Sequence, residues 1–174
     1  MTNSLVDKKP QQAVTFVDNH DTQHSLFVGD WFKPLAYGLI MLRRDGYPCI
    51  FYGDFFGLKA HPERGVYKEL IEQLAYVRKQ FAYGEEVDYF DHGNVVGWVR
   101  KGDEDHEGSG LAVVISNGDA GHKTMSLGEK FAGATMTDAT KSIKSLVVLD
   151  DQGSGTFWVE KKNLSVWIKE PYKS

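Results

Sequence analysis

The hydrophobic pattern of this 174-residue chain changes its period once, near Gly84, and no other feature of the sequence constrains the fold as strongly. Before Gly84, strand-like runs alternate with runs of helical period. After it only short alternating runs remain, separated by turns rich in glycine and asparagine. We therefore expect an α/β domain over residues 1–84 and an all-β domain over residues 85–174.

The first half has the order strand, helix, strand, helix, which favours a parallel α/β arrangement. Residues 13–17 predict a buried strand, and residues 31–43 predict a helix with Pro34 in its first turn. A second buried strand is expected over residues 49–52, and a second helix over residues 66–81. The helix faces predicted to be buried comprise Phe32, Leu35, Ala36, Leu39, Ile40 and Leu42 in the first helix, and Val66, Leu70, Ile71, Leu74, Val77 and Phe81 in the second.

The second half consists of short alternating runs. Seven strands are predicted, at Val95–Val99, Leu111–Ile115, Lys123–Leu127, Thr135–Asp138, Leu146–Leu149, Thr156–Val159 and Ser165–Ile168. Many short strands with glycine-rich turns are typical of an antiparallel sandwich.

Composition excludes several classes of protein. A net charge of −4 argues against a nucleic-acid partner. No run approaches the roughly 18 apolar residues of a membrane span, and residues 1–12 have no apolar core for a signal peptide. The single cysteine, Cys49, cannot form an internal disulfide. A complete eightfold β/α barrel, which needs about 250 residues, does not fit this length.

Four polar residues, Asp18 to Asp21, directly follow the first predicted strand. The carboxyl end of a parallel strand is where α/β enzymes place catalytic groups, and His20 with Asp21 offers a donor and a carboxylate to one polar ligand. Asp18 and Asn19 could instead satisfy the local backbone. The residues alone therefore leave open a functional site, a structural turn or a helix cap.

Two motifs in this half resemble one family. FVDNHD (residues 16–21) resembles the seventh-strand motif of the alpha-amylase clan of retaining glycoside hydrolases, and GYPCIFYGD (residues 46–54) resembles its eighth-strand motif. The run between them, WFKPLAYGLIMLR, resembles the intervening helix. In the second half, YFDHGNVVGW and SNGDAG resemble the sandwich domain that follows the barrel in bacterial liquefying or maltohexaose-producing alpha-amylases.

This resemblance extends in order from Ala13 to Ile168 and implies a C-terminal fragment of such an enzyme. The implied fold is the last two β/α units of a TIM (β/α)8 barrel, with strands 7 and 8 and their helices, followed by an antiparallel β-sandwich domain. The implied substrate is an α-glucan such as starch, glycogen or maltodextrin. Its internal α-1,4 bonds would be cleaved with retention of configuration.

The resemblance also implies roles for matched residues. Asp21 matches the catalytic carboxylate that is neither nucleophile nor general acid and that binds sugar hydroxyls at the cleaved bond. His20 matches the histidine that donates to the same sugar, and Gln23 is a weaker candidate for lining the cleft. Asp18 and Asn19 are expected to hold the loop. For Trp31 and Tyr47, core packing is favoured over sugar stacking.

The nucleophile and general acid of the family lie on barrel strands four and five. A retaining glycosidase needs both carboxyl groups about 5 Å apart. Residues 1–12 cannot contain those strands, and no later position matches either motif. We therefore expect the isolated chain to be inactive and to require the N-terminal part of the barrel as its partner.

Two segments bear on metal binding. Residues 103–108 carry acids at the first, third and fifth positions of a calcium-loop pattern, but the twelfth position is Val114 instead of glutamate, so a solvated hairpin tip is favoured. Secreted relatives carry a calcium between barrel and sandwich. The matching residues here are Gly93, Asn94 and Asn117, where histidine or aspartate would be expected. No metal or other cofactor is predicted on this chain, and calcium stays open for the full-length parent.

Two other functions are compatible with the residues. One is a non-catalytic carbohydrate-binding or structural module, and the other is a metal phosphohydrolase using His20 and Asp21, for which no convergent ligands are evident. The lone cysteine and the stretch SNGDAGHKT, similar to intracellular bacterial relatives, favour the bacterial cytoplasm. Secretion stays open.

Overall fold

The computed structural model describes residues 3–24 and 26–170. The chain divides into two compact units, residues 1–75 and 76–174, and most of its regular structure is sheet. The division precedes the Gly84 boundary expected from the sequence and falls inside a helix. The assignment of the two parts to domains stays a prediction.

Within the described residues, the first unit contains a pair of short parallel strands and four α-helices, the last of which continues into the second unit. The elements are α1 (Leu5–Lys8), β1 (Val14–Phe16), α2 (Lys33–Leu42), β2 (Tyr47–Cys49), α3 (Tyr52–Phe56) and α4 (Lys68–Phe81). Val14 pairs with Tyr47, and Phe16 pairs with Cys49. The predicted order of strand, helix, strand, helix is thus confirmed, with α1 and α3 as additions.

The expectation that both strands are buried is wrong. Their side chains alternate, so that Val14, Phe16, Tyr47 and Cys49 are exposed. The flanking Ala13 is buried instead. Helix α2 contacts both strands, whereas these four side chains point to solvent. The second strand also begins before residue 49, and Tyr52 already belongs to α3.

The buried face of α2 differs from the predicted one. Pro34 lies in the first turn as expected, and Leu35 and Leu42 are buried. Lys33 and Tyr37 are buried as well, whereas Ile40 is only partly covered. Phe32, Ala36 and Leu39 are likewise partly covered, while Gly38 and Met41 complete the buried face. The pattern fails here because a lysine is buried with carboxylate partners, which apolar periodicity cannot reveal.

The helix predicted over residues 66–81 is α4. Ile71, Leu74 and Val77 are buried, as its period predicts. Val66 is exposed and precedes the helix, so the predicted start is too early. None of the helices in the described residues is long and apolar enough to cross a membrane.

The second unit contains antiparallel strands in two groups. The strands are β3 (Glu86–Tyr89), β4 (Val95–Arg100), β5 (Leu111–Ser116), β6 (Gly121–Ser126), β7 (Thr135–Asp138), β8 (Val147–Val148), β9 (Ser154–Val159) and β10 (Leu164–Lys169). Six form a sheet in the order β3-β4-β5-β10-β7-β8, and β6 pairs with β9. All seven predicted strands are present. The sequence pattern missed β3, whose two acidic residues weaken its strand signal.

An apolar core lies between these two groups of strands. From the six-stranded sheet come Val95, Val99, Ala112, Val114, Met136 and Trp167, and from the β6–β9 pair come Met125, Phe157 and Val159. Trp167 and Phe157 are fully buried, and their ring centroids lie 5.7 Å apart. The alternate side chains of β6 and β9 therefore point away from this core.

Candidate functional site

The polar loop that follows β1 is anchored by its first residue. Asp18 is buried, and its Oδ1 accepts a hydrogen bond from the backbone N–H of Val28 at 3.0 Å. The hydroxyl of Thr22 donates to the same oxygen at 3.4 Å. This carboxylate thus joins both ends of the loop.

Asn19 closes the loop into a tight turn. Its Oδ1 accepts from the backbone N–H groups of Asp21 and Thr22, both at 2.9 Å. In return, the Thr22 hydroxyl accepts from the Asn19 N–H at 3.0 Å. Asparagine favours such turns because its side chain reaches the backbone two residues ahead. The expectation that Asp18 and Asn19 hold the loop is therefore confirmed.

The turn presents the next two residues to solvent. The side chains of His20 and Asp21 are 83% and 78% exposed, and His20 Nε2 lies 3.2 Å from Asp21 Oδ1. Gln23 lies in the 3-10 turn Thr22–His24, half-buried, with its Nε2 3.4 Å from His24 Nε2. The structure brings His20 and Asp21 together as a donor and acceptor pair. Their roles, and that of Gln23, stay predictions.

Sequence reasoning missed a buried charge cluster beneath this loop. Lys33 Nζ lies 2.9 Å from Asp18 Oδ2 and also forms an ion pair with Asp54 at the start of α3. The hydroxyl of Tyr37 donates to Asp54 Oδ2 at 2.6 Å. All four side chains are almost completely buried. The available signal was the spacing of Lys33 and Tyr37, which places them on one face of α2.

The carboxylates in this cluster stabilise the protonated forms of Lys33 and Tyr37. Burial alone would lower the pKa of Lys33, but hydrogen bonds and attraction from Asp54 and Asp18 outweigh burial and raise the pKa above its ordinary value. Burial, and then the hydrogen bond to Asp54, strongly raise the pKa of Tyr37. Near neutral pH the cluster therefore contains an ammonium and a neutral phenol, both donating to carboxylates.

The structure contradicts the expectation that Trp31 and Tyr47 pack in the core. Trp31 is 51% exposed and Tyr47 is 60% exposed. Trp31 contacts the edge of the neighbouring Phe32 ring, with the ring centroids 5.3 Å apart. Tyr47 pairs with Val14 in the β1–β2 ladder, and its side chain points to solvent.

Two segments of the sequence bear on metal binding. Residues 104–108 are exposed, and Asp103 Oδ1 accepts from the His106 backbone N–H at 3.0 Å, so the solvated tip is confirmed. Gly93, Asn94 and Asn117, the positions expected to match the family's calcium, offer no carboxylate. Across residues 3–24 and 26–170, no group of three or more His, Cys, Asp or Glu side chains is arranged to hold a metal.

Comparison with known proteins identifies the family. No protein-family model matches the chain. The alpha-amylase of Bacillus licheniformis is 45% identical over 97% of this chain and 34% of its own length. That of Geobacillus stearothermophilus is 42% identical over 97% of this chain and 31% of its own length. The chain is an alpha-amylase homologue.

This alpha-amylase homologue matches the C-terminal part of its relatives and spans about a third of their length. The cytoplasmic alpha-amylase of Escherichia coli strain K12 is 38% identical, over 97% of this chain and 36% of its own length. Alpha-amylases are glycoside hydrolases. The family expected from the FVDNHD and GYPCIFYGD motifs is thereby confirmed.

Solved structures support the same fold. An alpha-amylase from Malbranchea cinnamomea superposes with a TM-score of 0.65 at 13% identity, over 92% of this chain and 37% of the other. An Anoxybacillus alpha-amylase gives a TM-score of 0.62 at 17% identity, and the match covers 92% of this chain and 38% of the other. The alpha-amylase of Geobacillus thermoleovorans, complexed with acarbose, gives a TM-score of 0.59 at 12% identity. This match covers 91% of this chain and 39% of the other.

Proposed function

We propose that the chain is part of an alpha-amylase that hydrolyses internal α-1,4-glucosidic bonds of starch, glycogen or maltodextrin with retention of configuration. The observation that carries the proposal is the loop after β1. Its anchored turn presents Asp21 and His20 side by side, and these two residues match the family motif. Homology along almost the whole chain supports the same assignment.

Asp21 is the carboxylate that stabilises the transition state. Its oxygens accept hydrogen bonds from sugar hydroxyls next to the cleaved bond, and these bonds strengthen as the ring distorts toward an oxocarbenium ion. It is neither the nucleophile nor the general acid. Its backbone N–H takes part in the turn, while its carboxylate lies beside His20 and is 78% exposed, so a substrate can reach it.

His20 donates a hydrogen bond to the same sugar, and Gln23 lines the cleft. His20 Nε2 and Asp21 Oδ1 lie 3.2 Å apart. At this distance the histidine can donate a hydrogen bond to one hydroxyl of a sugar ring while the aspartate accepts one from a neighbouring hydroxyl. Lys33 acts indirectly as a positioning residue. It binds Asp18, and Asp18 in turn holds the backbone on the far side of the loop.

In this proposal the nucleophile and general acid belong to the N-terminal part of the parent barrel. Residues 1–84 are its last two β/α units, and residues 85–174 are the following β-sandwich domain. The parallel pairing of β1 with β2 and the antiparallel pairing in the second unit support this division. The isolated chain is then inactive, and no cofactor is assigned to it.

We also propose a cytoplasmic location in a bacterium. The E. coli relative is named as cytoplasmic, and the stretch SNGDAGHKT is similar to intracellular relatives. The single cysteine, Cys49, is exposed as a free thiol, which suits a reducing compartment. Fractionation of the source cells, followed by immunodetection of the protein, tests this location.

A chimera tests the proposed activity. This chain replaces the matching C-terminal third of the B. licheniformis relative, and release of reducing ends from maltoheptaose is measured. The chimera is expected to hydrolyse the substrate, and Asp21→Asn should lower kcat by about a thousandfold or more. Asp45→Asn, which changes an aspartate outside the loop in the same unit, is the matched control.

An inactive chimera would contradict the proposal, and so would two further results. One is near-normal activity of the Asp21→Asn chimera. The other is hydrolysis of maltoheptaose by the 174-residue chain alone, because the chain would then contain a nucleophile and an acid that no motif identifies.

A further inference from the structure

Trp158 is a large aromatic side chain of the second unit that lies outside the core. Trp158 is 48% exposed on β9, whereas its neighbours Phe157 and Val159 are buried. Successive side chains of a strand alternate between faces, so the indole points away from the packed interior. It is therefore available to a ligand at this surface.

The exposed indole forms one wall of an open groove of about 520 Å³, which lies in the size range of small-ligand sites. The remaining wall is mostly polar. The lining residues are Ser142, Ile143, Lys144, Ser145, Trp158 and Glu160. The groove thus combines an apolar ring with hydroxyl, ammonium and carboxylate groups.

The loop of residues 142–145, which lines the groove together with Trp158, is held by a buried carboxylate. Asp138 is 3% exposed, and its Oδ2 accepts from the Ser142 hydroxyl at 2.7 Å and the Ile143 N–H at 3.0 Å. Its Oδ1 accepts from the N–H groups of Thr140 and Val166 at 3.0 and 2.9 Å. This loop is therefore ordered before any ligand arrives, which lowers the entropic cost of binding.

A second ring widens the aromatic surface. His122 pairs directly with Trp158 across the β6–β9 ladder, and their ring centroids lie 4.6 Å apart. The next pair on this face consists of Thr124 and Thr156, whose hydroxyls lie 2.9 Å apart. Two rings and two hydroxyls thus form a continuous strip beside the groove.

The charges of the groove select the class of ligand. Lys144 and Glu160 carry opposite charges, so the lining has no net charge and favours neither a phosphate nor a cation. A neutral polyhydroxylated ligand suits it better. A sugar ring has an apolar C–H face that can stack on an indole, and hydroxyls around its edge that can bond with serine, lysine and glutamate.

We propose that this groove binds an α-glucan chain, with one glucose ring stacked on Trp158 and its hydroxyls bonded to the loop of residues 142–145 and to Glu160. The site involves no chemical step and contains no residue of the loop after β1. The choice of an α-glucan among neutral sugars rests on the function proposed above. The groove would keep a polymeric substrate close to the enzyme that hydrolyses it.

The indole N–H signals of the 15N-labelled 174-residue chain test the proposal. The chain has four tryptophans, and Trp98 and Trp167 are fully buried, so their signals report whether the fold is intact. The signal missing from Trp158→Phe identifies Trp158. Maltoheptaose is titrated into the chain, and cellohexaose, a β-1,4 glucan, serves as the comparison ligand.

We expect the Trp158 signal to shift saturably with maltoheptaose and much less with cellohexaose. Trp158→Ala should raise the Kd, measured calorimetrically, by about tenfold or more. Phe90→Ala, which removes a 43% exposed ring that does not line the groove, should leave it unchanged. An unshifted Trp158 signal, an equal response to cellohexaose, or an unchanged Kd for a folded Trp158→Ala would each overturn the proposal.

The outcome is distinguishable from that of the activity test. A saturable Trp158 shift together with an inactive chimera would support the groove in a non-catalytic carbohydrate-binding module and reject the proposed hydrolase. An active chimera that depends on Asp21, without a Trp158 shift, would support the hydrolase and reject the groove.

Discussion

The ammonium of Lys33 lies 2.9 Å from the carboxylate of Asp18, and both side chains are about 1% exposed. Asp54 pairs with the same ammonium. The start of α2, the loop after β1 and the start of α3 therefore meet at one buried charge. The cluster holds Asp18, which anchors the loop that contains Asp21, and the Asn19 turn fixes the backbone of Asp21 itself.

Replacing Lys33 by methionine should destabilise the first unit by about 3–5 kcal/mol, because two buried carboxylates lose their cation. Urea unfolding followed by circular dichroism measures the change. Lys68→Met provides the control, since Lys68 and its partner Glu72 are exposed and 3.9 Å apart, and such a pair contributes a few tenths of a kcal/mol. Equal losses in the two variants would show that the buried cluster does not stabilise the fold.

The same cluster should make the first unit sensitive to alkaline pH. The pKa values of Lys33 and Tyr37 are both raised in the folded chain, from ordinary values of 10.5 and 10.0. The folded state therefore holds these protons more tightly than the unfolded state, and the stabilisation is complete below about pH 10. It should be lost as the pH rises further toward the folded pKa values.

Chemical unfolding at a series of pH values from 8 to 12 measures this loss. Tyr37→Phe keeps the ring but removes one of the two titrating protons, so its stability should fall less steeply above pH 10 than that of the wild type. Parallel curves for the two proteins would contradict the contribution assigned to Tyr37.

Asn19→Ala should disturb the loop without touching its catalytic candidate. The substitution removes the acceptor of the Asp21 and Thr22 N–H groups, a loss comparable to that of a helix cap, about 0.5–2 kcal/mol. In the chimera kcat should fall as well, because Asp21 is less firmly placed. Thermal unfolding and the maltoheptaose assay measure the two effects, and an unchanged kcat would show that the turn does not position Asp21.

Asp138→Ala should destabilise the second unit by roughly 3 kcal/mol, because several buried donors lose a charged acceptor. The Kd for maltoheptaose should rise too, since Ser142 and Ile143 lose their anchor. Asp119→Ala removes an exposed carboxylate paired with Lys161 and should cost less than about 1 kcal/mol. Urea unfolding and calorimetry measure both quantities. A similar cost for the two variants would contradict the role given to Asp138.

Much of the fold could be predicted because its signals are local. The strands from Val95 onward follow an alternating apolar pattern bounded by turns, and each was placed within a few residues. The turn at Asn19 was also predictable, since asparagine after a strand commonly bonds the backbone ahead of it. These features depend on residues close together along the chain.

The errors share a different cause. Lys33 is absent from the buried face predicted for α2, yet it is buried because Asp18 and Asp54 reach it from other elements. Trp31 and Tyr47 read as core residues, yet both are exposed. The groove beside Trp158 joins residues 142–145 to β9, and no sequence pattern links these segments.

By itself, the sequence determined the order of most elements, the family and the pair of residues matched to its catalytic motif. Hydrophobic period, turn chemistry and short motifs operate over a few residues, so these could be read directly. Only the tertiary structure decided that Lys33 is buried between two carboxylates and that Trp158 lines a groove. Burial and charge pairing depend on which distant segments meet in space, and periodicity along the chain does not contain that information.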